Sequence, residues 1–95
     1  MNETEKYKNY YTGCKAIFEH YGEEAQKQQL IQECAELIQA ITKGGYDNFV
    51  EELADVQVVI DQFTINSPEL DKNMRKIQRQ KVKRQIERLI DEIRN

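Results

Sequence analysis

Long apolar runs are missing from this chain. No stretch approaches the roughly 18 consecutive apolar residues of a membrane span. The opening MNETEKYKNYY has no apolar centre of the kind a secretory signal carries. The expectation is a cytoplasmic protein with no membrane partner. Cysteine is scarce as well. Cys14 and Cys34 stand alone in helical patterns, with no CxxC spacing and no histidine neighbour. Buried, reduced thiols fit them better than a disulfide or a metal site. His20, the single histidine, falls on the polar side of its pattern and is expected in solvent. There is one proline, and no linker, repeat or low-complexity tract. Nothing divides the 95 residues, so residues 1–95 are expected to form a single domain. No segment alternates convincingly as a strand does, which leaves an all-α chain.

What is present is charge. Of all residues 33% are charged and 39% hydrophobic, with a net charge of −3. That balance suits a soluble, helix-rich protein. The net value hides a gradient: residues 1–67 carry −7 and residues 68–95 carry +4. An acidic front and a basic tail can attract each other, or meet on a ligand that bears both phosphate and metal. A chain of this length buries a modest core, so support from a second copy fits its size.

Four helices are predicted, and short connections between them point to a four-helix bundle-like fold. The first, near residues 4–21, shows Tyr7, Tyr10, Tyr11, Cys14, Ile17, Phe18 and Tyr21 at 3-and-4 spacing. This stripe reads as core, with one tyrosine free to reach a ligand. The second spans about 23–43, with a stripe of Leu30, Ile31, Cys34, Leu37, Ile38 and Ile41 ended by Gly44-Gly45. The third spans about 48–65, capped by Asp47 or Asn48, with Phe49, Leu53, Val56, Val59, Ile60 and Phe63 inward. Ser67-Pro68-Glu69 starts the fourth, about 68–93. Its first apolar face, Leu70, Met74 and Ile77, continues as Lys81, Arg84 and Arg88 on a straight helix. A second face holds Val82, Ile86, Leu89 and Ile93.

Two acidic pairs at i,i+3 spacing, Glu33 with Glu36 and Glu52 with Asp55, flank the Gly-Gly turn. Glu33 lies at the edge of the second helix's stripe, and Glu36 about 60° beyond it at 100° per residue. Glu52 interrupts the apolar stripe of the third helix, where a carboxylate is costly unless paired or metal-bound. Glu51 points to solvent. Four carboxylates on adjacent helices can surround one small volume, and their repulsion calls for a cation. All-oxygen donors select Mg²⁺ or Mn²⁺ before zinc, and Mg²⁺ is commonly shared with substrate phosphates. Lys81, Arg84 and Arg88 can supply the phosphate half of such a site. The competing reading leaves the carboxylates solvated or salt-bridged, for example Glu52 against an arginine of the last helix.

ExxE at Glu33–Glu36, fifteen intervening residues, and ExxD in EELAD at Glu52–Asp55 resemble the MazG-type nucleotide pyrophosphohydrolases of the all-α NTP pyrophosphatase superfamily. The resemblance covers residues 25–63, and KVKRQIERL resembles the basic final helix of small members. It implies that Glu33, Glu36, Glu52 and Asp55 bind Mg²⁺ and serve catalysis. The implied reaction is hydrolysis of a nucleoside triphosphate to monophosphate and pyrophosphate, with water attacking the α-phosphorus, in a house-cleaning or nucleotide-pool role. Lys81, Arg84 and Arg88, then Lys76 and Arg79, would hold the triphosphate. Many relatives carry Glu where this chain has Gln32. Relatives usually act as homodimers or homotetramers, and the second apolar face of the last helix fits such a contact. Phosphoribosyl-ATP pyrophosphohydrolase, with similar acidic motifs, is a sister reading. A non-enzymatic helical module would instead hold nucleic acid or an acidic partner on the basic helix. The negative net charge and the lack of a DNA-reading motif disfavour nucleic acid.

Overall fold

The computed structural model describes residues 2–95 and contains five helices: α1 (Glu3–Lys6), α2 (Tyr10–Tyr21), α3 (Glu23–Lys43), α4 (Tyr46–Asn66) and α5 (Pro68–Arg94). Among the described residues there is no strand. The fold is all-α, as the sequence requires. α3 and α5 lie within a residue of their expected bounds.

The first predicted helix is split. Asn9 adopts an extended backbone, and its Oδ1 accepts from the backbone N–H groups of Tyr11 and Thr12 at 2.8 and 3.4 Å. That cap starts α2 at Tyr10 and leaves Tyr7 outside it. The aromatic stripe is not the core it was expected to be. Tyr7, Tyr10, Tyr11 and Tyr21 are all exposed, whereas Cys14 is buried and Phe18 meets Phe63 of α4 edge to face at 5.1 Å. Tyr10 instead ties α2 to α4 through its hydroxyl, which donates to Asp61 Oδ2 at 2.7 Å. That bond pushes the phenol pKa upward. His20 is exposed, as expected, with its ring edge-on to Tyr21.

Gly44 and Gly45 form a two-residue turn with φ of +83° and +103°, a region that residues with a Cβ rarely enter. α3 and α4 therefore run back to back as a tight helical hairpin, the most closely packed pair in the chain. No side chain caps α4. It begins at Tyr46, with Gly45 at the cap and Asp47 already in the first turn, not at the cap expected for Asp47 or Asn48. Ser67 does cap α5: its Oγ accepts from the Leu70 N–H at 3.2 Å, followed by Pro68 at the first position.

The apolar stripes mark the inward faces of the hairpin only in part: Val59 is buried and Leu30, Cys34, Leu37, Val56, Ile60 and Phe63 are half-buried. On α3 the inward line is Gln26, Glu33 and Ala40, each seven residues from the next, with Gln26 and Ala40 buried. Ile31, Ile38 and Ile41 are exposed. On α4 the inward lines are Glu52–Val59–Asn66 and Asp55–Gln62, with Val59 and Gln62 buried. Tyr46, Phe49, Val50 and Leu53 form a bare apolar face. α5 touches α4 through its first turns, where Asp71 and Met74 are half-buried, and every residue from Arg75 to Asn95 is exposed. The particle is accordingly elongated, 62 × 35 × 25 Å. No helix among the described residues is long and apolar enough to cross a membrane.

Candidate metal centre

The carboxylates meet because the inward face of the α3–α4 hairpin is polar at its middle. Glu33 and Glu36 project from α3, one turn apart. Glu52 and Asp55 project from α4, also one turn apart, on the face turned toward α3. One oxygen from each of the four lies within 4.8 Å of the other three. All four side chains are half-buried. Glu51, as expected, is exposed.

Their surroundings leave the negative charge unanswered. Lys27 pairs with Glu23 and Glu24, and Arg75 with Asp71; among the described residues no ion pair includes the four carboxylates. Glu52 is thus not held by an arginine of the last helix. Glu33 Oε2 and Glu52 Oε2 are sealed from solvent without a hydrogen-bond partner. A buried acceptor left unpaired is unfavourable, and more so when charged. Burial pushes the Glu33 and Glu52 pKa values above the usual carboxylate range, and the neighbouring charges of Glu36 and Asp55 push the same way. Gln29 moderates this for Glu33, donating to its Oε1 at 2.7 Å. That bond leaves Oε2 as the oxygen without a partner. Gln32 donates to Glu36 Oε1 at 3.4 Å. At the position where a further acid would add charge, this chain therefore places a neutral donor.

Two orphaned oxygens, four carboxylates around one point and no internal cation fit a hard divalent ion. Nothing soft or imidazole-based contributes, which disfavours zinc and copper.

The cations expected beside this cluster are elsewhere. Lys81, Arg84 and Arg88, and likewise Lys76 and Arg79, are exposed along the free part of α5. Past its first turns every residue of α5 is exposed, so these cations are not packed against the hairpin within one chain. Gln26 and Gln62 carry no signal in the apolar pattern of the sequence. Gln26 Nε2 donates to Gln62 Oε1 at 2.6 Å across the buried seam between α3 and α4. The available signal was register: each glutamine lies seven residues, two helical turns, from a cluster carboxylate, Glu33 or Asp55.

A helical hairpin whose facing helices gather four carboxylates is the kind of arrangement from which helix bundles build cation sites. The model of the MazG nucleotide pyrophosphohydrolase domain matches residues 21–89, which spans α3, α4 and most of α5. The chain belongs to that family. No curated protein and no solved structure matches it.

Proposed function

We propose that this chain is a Mg²⁺-dependent nucleoside triphosphate pyrophosphohydrolase, acting on an NTP or dNTP as a single domain of residues 1–95. The observation that carries the reading is the converging set of Glu33, Glu36, Glu52 and Asp55 with two sealed, unpartnered oxygens, in a chain of the MazG nucleotide pyrophosphohydrolase family.

The overall reaction consumes water and cleaves the bond between the α-phosphorus and the oxygen bridging to the β-phosphate. It leaves the monophosphate and pyrophosphate. When bound, Mg²⁺, with Mn²⁺ as a substitute, supplies the positive charge that offsets the carboxylates and the phosphate oxygens shared with it. The protein's part is positional. The i,i+3 pairs on the two facing helices bring the four carboxylates together before substrate arrives. Gln29 hydrogen-bonds the Glu33 carboxylate. Gln32 does the same for Glu36 without adding a charge. Lys81, Arg84 and Arg88, then Lys76 and Arg79, are the candidates for the triphosphate. They reach it only when α5 is brought over the carboxylates, by folding back or from a second copy. The bare apolar faces of α3, α4 and α5 favour a homodimer or homotetramer. A cytoplasmic setting fits the substrate class.

The test is a panel of NTPs and dNTPs, with phosphoribosyl-ATP included, incubated with Mg²⁺ and assayed for pyrophosphate. Release from a nucleoside triphosphate, lost in Glu52→Gln, supports the assignment. Release from phosphoribosyl-ATP alone moves it to the sister reaction. No release from any member, together with metal binding unchanged in Glu52→Gln, rejects it.

A further inference from the structure

A cleft of about 440 Å³ opens beside the carboxylates, with Glu33 and Asp55 at one end. The other end is lined by Gln26 and Gln62, which are 6% and 3% exposed. Ile17, Tyr21 and Val58 contribute to its walls. The cleft lies within the size range of small-molecule sites.

The two amides are not spent on each other. Gln26 Nε2 donates to Gln62 Oε1 at 2.6 Å. This leaves both N–H donors of Gln62 Nε2 and the acceptor Gln26 Oε1 unused. Among the described residues the side-chain atoms buried without a partner are Glu33 Oε2 and Glu52 Oε2. The spare groups of the glutamine pair are therefore not sealed in the core, and the cleft that both residues line is where they emerge. A plain interhelix clamp does not need this chemistry. Replacing both members of a buried hydrogen-bonded pair by apolar groups of the same shape is often close to neutral. The spacing has a direction too. Gln26 precedes Glu33 by two turns and Gln62 follows Asp55 by two turns, about 10.5 Å along each helix. Both amides are displaced toward the same end of the hairpin, by a length comparable to that from an α-phosphate to the far edge of its base.

We propose that Gln26 and Gln62 are the specificity-determining residues for the nucleobase. Gln62 Nε2 donates to an acceptor on the base edge, and Gln26 Oε1 accepts from the adjacent N–H. The mutual hydrogen bond fixes which group each presents, so the pair acts as a rigid donor–acceptor edge. Tyr21, exposed at the mouth, offers a ring face for stacking. The orientation assigned here, phosphates toward the carboxylates, rests on the pyrophosphohydrolase reading.

The experiment measures Kd for the four nucleoside 5′-monophosphates in Mg²⁺ by calorimetry. It uses the wild type, Gln62→Met, Gln62→Glu and the double variant Gln26→Met/Gln62→Met, which keeps the packing volume. The wild type is expected to separate the best from the worst base by about tenfold or more, the scale of one directed hydrogen bond. The double variant should compress that ratio to within about threefold while melting close to the wild type. Gln62→Glu, which turns a donor into an acceptor, should reorder the bases. A merely structural role would weaken all four ligands equally. Equal weakening, an unchanged ratio in the double variant, or a wild type that binds the four alike or not at all, overturns the proposal. Pyrophosphate release is measured separately. A base-selective protein that releases none keeps the subsite and removes the hydrolase, whereas an indiscriminate one that releases it does the reverse.

Discussion

The bare apolar faces predict association, and the surface area sets its scale. A folded monomer of 11.3 kDa exposes about 5,700 Å² by the usual size scaling. This chain exposes 7800 Å². The excess is about 2,100 Å² per chain, so two copies joined through it would bury about 4,200 Å², in the range of obligate interfaces. The radius of gyration agrees, at 17.3 Å against about 12 Å for a compact chain of this length. The sharpest perturbation is on α5, where Ile86 and Leu89 share a face and are 47% and 48% exposed. Covering the exposed half of each is worth about 1 kcal/mol, half of a full burial. A two-fold contact counts each residue twice, giving about 4 kcal/mol, or roughly a thousandfold in Kd. Ile86→Asp/Leu89→Asp should raise the dimer Kd by at least that factor, since the new charges add a desolvation cost. Sedimentation equilibrium across the micromolar range reads the Kd, with circular dichroism to verify that the helices persist. A wild type that sediments as a monomer at high micromolar concentration with full helicity would refute the reasoning. So would a double variant that associates like the wild type.

Further outcomes follow from the site and the caps. Mg²⁺ at a hundredfold over its Kd should raise the melting temperature by on the order of 10 °C, the effect of about 2.7 kcal/mol on a small domain; a curve indifferent to Mg²⁺ counts against a preassembled cation site. Glu52→Gln should raise the metal-free melting temperature and blunt the response to Mg²⁺, because it removes one of four mutually repelling charges. Metal-free protein should also show an unusual pH dependence. The folded pKa values of Glu33 and Glu52 are raised, so their contribution to stability is full below the unfolded carboxylate range and is lost as pH rises through the folded values. Melting in chelator should therefore improve from pH 7 toward pH 5, and saturating Mg²⁺ should flatten that trend; a metal-free curve that falls on acidification would contradict it. Ser67→Ala removes the α5 cap and should cost about 1 kcal/mol, read as a drop of about 5 °C in thermal melts.

Much of the hairpin was legible because its signals are local. The Gly-Gly stop after Lys43 and the Ser-Pro start at Ser67 act within a few residues, and the structure places those helix ends where they indicate. The acidic pairs were legible because i,i+3 spacing has one meaning on a helix. What misled was the apolar pattern. Ile31, Ile38 and Ile41, with Phe49 and Leu53, belong to the stripes of α3 and α4, yet these five are exposed in the single chain. Periodicity shows that a face avoids water, not which neighbour covers it. The intrachain seam is drawn by Ala40 and Val59 together with Gln26, Glu33, Glu52, Asp55 and Gln62, residues that hydrophobicity ranks as surface. Glu33 was accordingly placed at the edge of a face whose centre it occupies. The aromatic stripe failed for a related reason: Asn9 reset the helix start, and the tyrosines reach outward with their hydroxyls, Tyr10 toward Asp61. The placement of the α5 cations needed tertiary information that no spacing rule contains.

The turn at Gly44 and Gly45 bears on the order in which this protein forms. Because two glycines at positive φ join α3 directly to α4, all four carboxylates belong to one hairpin, close in sequence and independent of α2 and α5. Contacts of such short separation close early on a folding pathway. The hairpin brings like charges together as it closes, so divalent cation in the folding medium favours the formation of this contact. Refolding in Mg²⁺ should therefore accelerate the folding step itself, in addition to slowing unfolding.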